Sequence, residues 1–268
     1  MTRLPAFLLT MLLAHAASAI EIIAHRGYSE KAPENTVSAF KLAWDNNTDA
    51  CELDLYLTKD EKVVIIHDKD TKRTTGVMKD VATSTLDDLR TLDAGSWKGA
   101  QFAGEKLPTL EESLATMPKG QKRFFLEIKC GPEVVPAMTK ILEPMRARAE
   151  QIAIISFKLE AVAAAKKAMP WAKCYYIIGG KEKDKAKTQR KDVTPFIKEA
   201  KDANLDGLDL DMAFLWSPEM VKQIRDAGLG VFVWTVDKPE DIARFAALGV
   251  DGITTNEPVV VRQELAKH

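Results

Sequence analysis

Short apolar runs alternate with helix-period segments along almost the whole chain, and this alternation constrains the fold more than any other feature. The runs fall at 21–25 (EIIAH), 50–57 (ACELDLYL), 63–67 (VVIIH), 123–129 (RFFLEIK) and 152–157 (IAIISF), then at 174–178 (CYYII), 207–211 (GLDLD), 230–236 (GVFVWTV) and 252–255 (GITT). Helical periodicity fills 35–47, 109–116, 133–149, 158–168, 194–203, 218–227, 239–248 and 258–267. Strands and helices taken in turn predict a parallel sheet with helices packed outside it.

Nine strands are one too many for an eight-stranded barrel, and chain length identifies the extra one. Run 63–67 follows 50–57 after only TKDEK, whereas a parallel pair needs a crossover of about a dozen residues or more. It is therefore predicted as an antiparallel hairpin partner, with a turn centred near Asp60 and Glu61 that sets Asp54 opposite His67. The fold class is α/β: a single TIM (β/α)₈ barrel with an extra antiparallel hairpin strand and a small insertion after it. The insertion, about 69–108, has turn chemistry and one helix-like piece at 85–92, and insertions there usually cover the catalytic face. The segment 181–191 (KEKDKAKTQRK) reads as a solvated loop, or alternatively as a local attractor for an anionic substrate.

The first residues, MTRLPAFLLTMLLAHAASA, carry Arg3, an apolar stretch from Leu4 to Ala14 and small residues at 17–19. This is the order of a secretory signal, predicted to be cleaved after Ala19 and to leave a periplasmic or secreted domain of residues 20–268. The apolar stretch is short of the ~20 residues of a spanning helix, so no stable membrane insertion is expected. Formal charge is −1 for the whole chain and −2 once Arg3 is removed. That balance excludes bulk attraction to nucleic acid or to an anionic bilayer, so any anion recognition must be local. Cys51, Cys130 and Cys174 allow at most one disulfide, and buried free thiols are the preferred reading. The sequence leaves oligomeric state open.

In a parallel barrel, catalytic groups sit at the C-terminal ends of strands. Those ends carry His25 and Arg26, Glu52 and Asp54, Glu127 and Lys129, and then Asp211, Trp234 and Asn256. Each acid–acid or acid–lysine pair is two residues apart on a strand and so shares a face. Of the four histidines, His15 belongs to the leader and His268 is terminal. The two that remain, His25 and His67, are expected at one mouth, as an acid/base pair. Glu52, Asp54 and Glu127 would repel one another there. Either Lys129 and Arg26 neutralise them in an ion-pair network, or a divalent cation with oxygen ligands, Mg2+ or Ca2+, does so. Arg26 and Lys129 beside such an ion suit a phosphoryl group. Asp211 reads as an acid satisfied by a neighbour.

These residues fall within motifs that resemble the glycerophosphodiester phosphodiesterase family, a TIM-barrel relative of phosphatidylinositol-specific phospholipases C. The motifs are HRG (25–27), PENT (33–36), ELD (52–54), TKDEKVVIIHD (58–68), RTTG (73–76), LDAGSW (92–97), PTLEE (108–112), LEIK (126–129), WTV (234–236) and GVDGITTNEP (249–258). The resemblance implies divalent-metal-dependent hydrolysis of small-molecule glycerophosphodiesters to glycerol 3-phosphate and an alcohol. It makes His25 and His67 the catalytic pair, Glu52, Asp54 and Glu127 the metal ligands, and Arg26 and Lys129 phosphate contacts. Trp234 would pack on the glycerol, or alternatively serve as a barrel-core tryptophan. Glu34 would brace the site and Asn35 would cap a helix. Asn256 stands where relatives often have Asp. Two alternatives use the same fold: a lysophospholipase D-type activity on lysophospholipids, and a non-catalytic binding protein.

Overall fold

A computed structural model of the chain describes residues 20–182 and 185–267. The expected leader (1–19) and the terminal His268 lie outside the described residues. The strands are β1 (Glu21–Ala24), β2 (Ala50–Leu57), β3 (Val63–Ile65), β4 (Arg123–Ile128), β5 (Ile152–Ser156) and β6 (Lys173–Ile178). They continue with β7 (Lys181–Glu182), β8 (Lys185–Gln189), β9 (Gly207–Asp211), β10 (Gly230–Trp234) and β11 (Gly252–Thr255). The parallel order β1-β2-β4-β5-β6-β9-β10-β11 closes on itself, because β1 pairs with both β11 and β2. This is a TIM barrel.

Period-two alternation sorts each strand. Outward residues such as Leu53, Phe124, Leu126, Ile154, Leu208 and Ile253 are buried beneath the surrounding helices. Inward residues Ile23, Ala50, Phe125, Ala153, Tyr175 and Phe232 form a separate interior cluster. The rings of Phe125, Tyr175 and Phe232 lie 4.6–5.9 Å apart and plug the lower barrel, so the interior is a packed core rather than a pore. Gly252 makes room for this plug, since a Cβ there would stand 2.7 Å from the Phe232 ring. The rings separate the polar side chains of the upper rungs from the Arg123–Glu21 ion pair, 2.7 Å, at the lower end.

β3 bonds antiparallel to the last three residues of β2, beyond the two that β1 uses. The hairpin was expected, but its register differs by one residue. Leu55 faces Ile65 and the Ile66 amide donates to the Asp54 carbonyl at 2.9 Å, so Asp54 lies opposite Ile66 rather than His67. The cause is the turn. Thr58 and Lys62 close a three-residue loop whose last residue, Glu61, is left-handed at φ 58°, and such loops centre on the middle residue.

A second correction concerns the first helix, Val37–Asp45. Its N-cap is Thr36, whose hydroxyl accepts from the Ala39 amide at 3.2 Å and donates to the Pro33 carbonyl at 2.7 Å. Asn35 is instead left-handed, at φ 59°, a conformation asparagine tolerates better than most residues, and it turns into the barrel. Thr36→Ala is expected to cost about 1 kcal/mol of stability, measurable by urea denaturation at unchanged m-value.

The 69–108 insertion holds short helices at Lys72–Thr75 and Leu86–Arg90 and packs Val81, Leu89, Ala94 and Leu107 against Val64 and Ile66. From it Arg73 reaches Glu34 and Asp68 beside the mouth, while Val77, Met78 and Trp97 stay exposed. The basic segment expected as a loop is a hairpin, β7 with β8. Its side chains through residue 188 lie outside the described residues, and so does the expectation of anion attraction. Cys51, Cys130 and Cys174 are free, as expected.

Candidate active site

At the C-terminal ends of the strands lies a cavity of about 200 Å³, lined by His25, Arg26, Glu52, His67, Glu127 and Lys129 on one side. Phe157, Asp209 and Trp234 are among the residues lining the opposite side. The resemblance's three metal carboxylates do come together. Asp54 and Glu127 are direct neighbours across β2 and β4, and ligand atoms of Glu52, Asp54 and Glu127 lie within 4.8 Å of one another.

Two cations and an amide hold the acids in place. Arg26 Nε lies 3.3 Å from Asp54 Oδ2, and the Arg26 amide donates to Glu52 Oε2 at 2.8 Å. Lys129 Nζ lies 2.8 Å from Glu127 Oε1 and 3.4 Å from Asp54 Oδ1. Asn35 grips Asp54 twice, donating from Nδ2 to Oδ2 at 2.7 Å and accepting from the Asp54 amide at 3.1 Å. Glu34 takes Arg26 at 2.9 Å and both terminal nitrogens of Arg73 at 2.8 Å. It therefore braces the arginine, as the sequence suggested.

This compensation is incomplete. Burial, together with the charges of Asp54 and Glu127, pushes the Glu52 carboxyl well above the usual range. Burial and the Asp54 charge raise Glu127 to about 7. Burial would raise Asp54 too, but Arg26 and Lys129 outweigh it and hold that carboxyl low. Glu52 Oε1 is buried without a hydrogen-bond partner, and the inner oxygens of Asp54 and Glu127 face only the Lys129 ammonium. Clustered carboxylate oxygens short of positive charge are the donor set of a hard divalent cation. The residues fit such an ion.

Each histidine is tethered through Nδ1. The Asn256 amide donates from Nδ2 to Asp237 at 2.8 Å, which turns its Oδ1 toward His25 Nδ1 at 2.7 Å. An amide oxygen only accepts, so His25 carries its proton on Nδ1 and leaves the Nε2 lone pair free. Burial and the Arg26 charge push its pKa down to about 4. His67 Nδ1 lies 2.7 Å from Asp68 Oδ1, and Asp68 is held in turn by Arg73 Nε at 2.7 Å. His67, too, is left with Nε2 as its untethered nitrogen.

The sequence model of the glycerophosphoryl diester phosphodiesterase family matches residues 25–260 of this chain. The chain belongs to that family. A glycerophosphodiester phosphodiesterase of Caldanaerobacter subterraneus subsp. tengcongensis is 35% identical over 246 residues, covering 88% of this chain and 94% of that protein. One from Bacillus subtilis is 31% identical, covering 88% of this chain and 83% of that protein. Among solved structures, a phosphodiesterase of Oleispira antarctica in complex with its product sn-glycerol 3-phosphate superposes with a TM-score of 0.80 at 25% identity, covering 92% of this chain and 96% of that one.

In this phosphodiesterase His25, Arg26, Glu52, His67, Glu127, Lys129 and Trp234 line the cavity, Asp54 is buried beside Glu127, and Asn35 acts on Asp54 rather than on a helix end. Trp234 lines the cavity with its Nε1 donating to the Asp209 carbonyl at 3.2 Å, and it meets Phe157 edge-on at 5.3 Å. Asp211 is satisfied by the amides of Gly180 and Ala213, as expected. Sequence reasoning missed Asp68, Arg73, Asp237, Phe157 and Asp209, and left Asn256 without a role. Asp68 follows His67 directly and was open to inspection. The Asn256–Asp237 contact joins two different strand ends and has no local signal.

Proposed function

We propose that the protein is an exported, divalent-metal-dependent enzyme that hydrolyses glycerophosphodiesters to glycerol 3-phosphate and an alcohol. The observation that carries this reading is a family member's cavity in which three ion-poor carboxylates and two Nδ1-tethered imidazoles share one wall with Arg26 and Lys129. Arg26 and Lys129 hold the phosphoryl oxygens, the guanidinium by its planar fork and the ammonium as a point charge. One imidazole Nε2 takes the proton of the attacking oxygen, whether that of water or of the glycerol's own neighbouring hydroxyl. The other imidazole, protonated, returns a proton to the leaving alcohol oxygen as its bond to phosphorus breaks. Glu52, Asp54 and Glu127 would hold Mg2+ or Ca2+, which when bound neutralises charge on the phosphoryl group. Trp234 and Phe157 supply an apolar wall for the carbon skeleton. Residues 1–19, with their apolar stretch and small-residue end, support export.

Purified protein should release glycerol 3-phosphate from glycerophosphocholine, lose that activity with chelator, and regain it with Mg2+ or Ca2+. Turnover that persists in chelator would remove the metal. No turnover with any divalent ion would overturn the activity.

A further inference from the structure

The wall made by β5, β6, β9, β10 and β11 is apolar apart from two threonines and one acid. Ile155, Phe157, Ile177 and Trp234 line it, and the acid is Asp209. Its side chain is only 3% exposed, and its Oδ1 is buried with no hydrogen-bond partner. Among the described residues no hydrogen bond or ion pair engages this carboxyl, whereas Asp211, two positions along the same strand, has two amide donors. A carboxyl that is buried, unpaired and open to a cavity is costly to keep unless something in the cavity completes it.

Position narrows the occupant. Trp234 pairs with Asp211 across β10 and β9, and Phe232 pairs with Asp209. Asp209 thus lies one inward-facing position deeper than Trp234, toward the aromatic plug. A phosphodiester with its phosphorus at Arg26 and the histidines would lay its glycerol carbons along Trp234 and Phe157, and the end of the glycerol would reach this depth. We propose that Asp209 is the specificity residue for the glycerol moiety, its carboxyl taking the terminal hydroxyl, the one farthest from phosphorus. A carboxyl can accept from a hydroxyl when ionised and donate to it when neutral, so the contact does not depend on protonation state. Substrates acylated at that hydroxyl would leave the acid unpaired, which disfavours lysophospholipids.

This assignment rests on the glycerophosphodiesterase reading and is tested by comparing glycerophosphocholine with its analogue lacking the terminal hydroxyl, the phosphocholine ester of propane-1,2-diol. In Asp209→Ala, kcat/KM for glycerophosphocholine should fall roughly 10- to 100-fold, while that for the deoxy analogue should change by less than about two-fold. Asp209→Asn keeps the shape and the hydrogen-bonding capacity and should recover most of the loss. Equal losses on both substrates, or no loss on either, would overturn the assignment while leaving the activity standing. A wild-type protein inactive on both substrates would overturn it together with the reading beneath it.

Discussion

Replacing either His25 or His67 by alanine should lower kcat by about 10²–10⁴-fold while leaving thermal unfolding nearly unchanged. Both rings are partly exposed at the mouth, so truncation opens no cavity in the aromatic plug or in the layer beneath the helices. Neither ring's tethers belong to the strand ladder. His25 leans on Asn256 and His67 on Asp68. Each imidazole leaves its Nε2 untethered for proton transfer in one direction or the other. Lys129 is already paired with Glu127 and Asp54. Near-normal turnover in either variant, measured as glycerol 3-phosphate release under saturating substrate, would strike that histidine from the catalytic pair.

The second large effect is thermodynamic. Saturating Mg2+ or Ca2+ should raise the melting temperature by about 5–10 °C, as expected for a ligand near 100 times its Kd on a domain of this size. The shift should be larger at pH 8 than at pH 5, and the sign follows from the acids. Glu52 and Glu127 have carboxyls displaced upward by burial and mutual repulsion. The stability that goes with their neutral forms is fully present below the ordinary glutamate value and is lost as pH rises through the displaced one. For Glu127, raised from 4.5 to about 7, that loss is on the order of 3 kcal/mol in the metal-free protein. A divalent cation binds the ionised carboxylates and competes with protons, so its stabilisation grows across this same window. Asp54 has the opposite sign: its carboxyl is held low by Arg26 and Lys129. Its contribution is lost only as pH falls below the ordinary carboxylate range, and so it does not blunt the effect. Glu127→Gln should raise the metal-free melting temperature at pH 8 and abolish most of the cation-induced shift. Calorimetry that found equal cation shifts at both pH values, or an undiminished shift in Glu127→Gln, would contradict the three-carboxylate site.

The barrel and its catalytic rim were legible in the sequence because both follow from local periodicity. Strand runs separated by helical segments allow few architectures, and period-two alternation places His25, Glu52, Asp54, Glu127 and Lys129 on inward faces at the strand ends. The hairpin was legible as well, but its register depended on one left-handed residue, Glu61, whose conformation no composition rule supplied. The same holds for Asn35, which reads as a helix cap beside Pro33 and Glu34 until the fold brings Asp54 against it from 19 residues away.

Pattern along the chain therefore determined the barrel and which acids, bases and cations meet at its mouth. Packing between distant segments decided their states. Asn256 lies 231 residues from His25 and fixes its tautomer, and Arg73 lies 39 residues from Glu34 and steadies the brace on Arg26. In GLDLD both aspartates fall on one face by pattern, yet the fold gives Asp211 two amides and leaves Asp209 none. Periodicity sets which way a side chain points, but only the assembled neighbours set what it touches, and the energy of a buried polar group depends on what it touches.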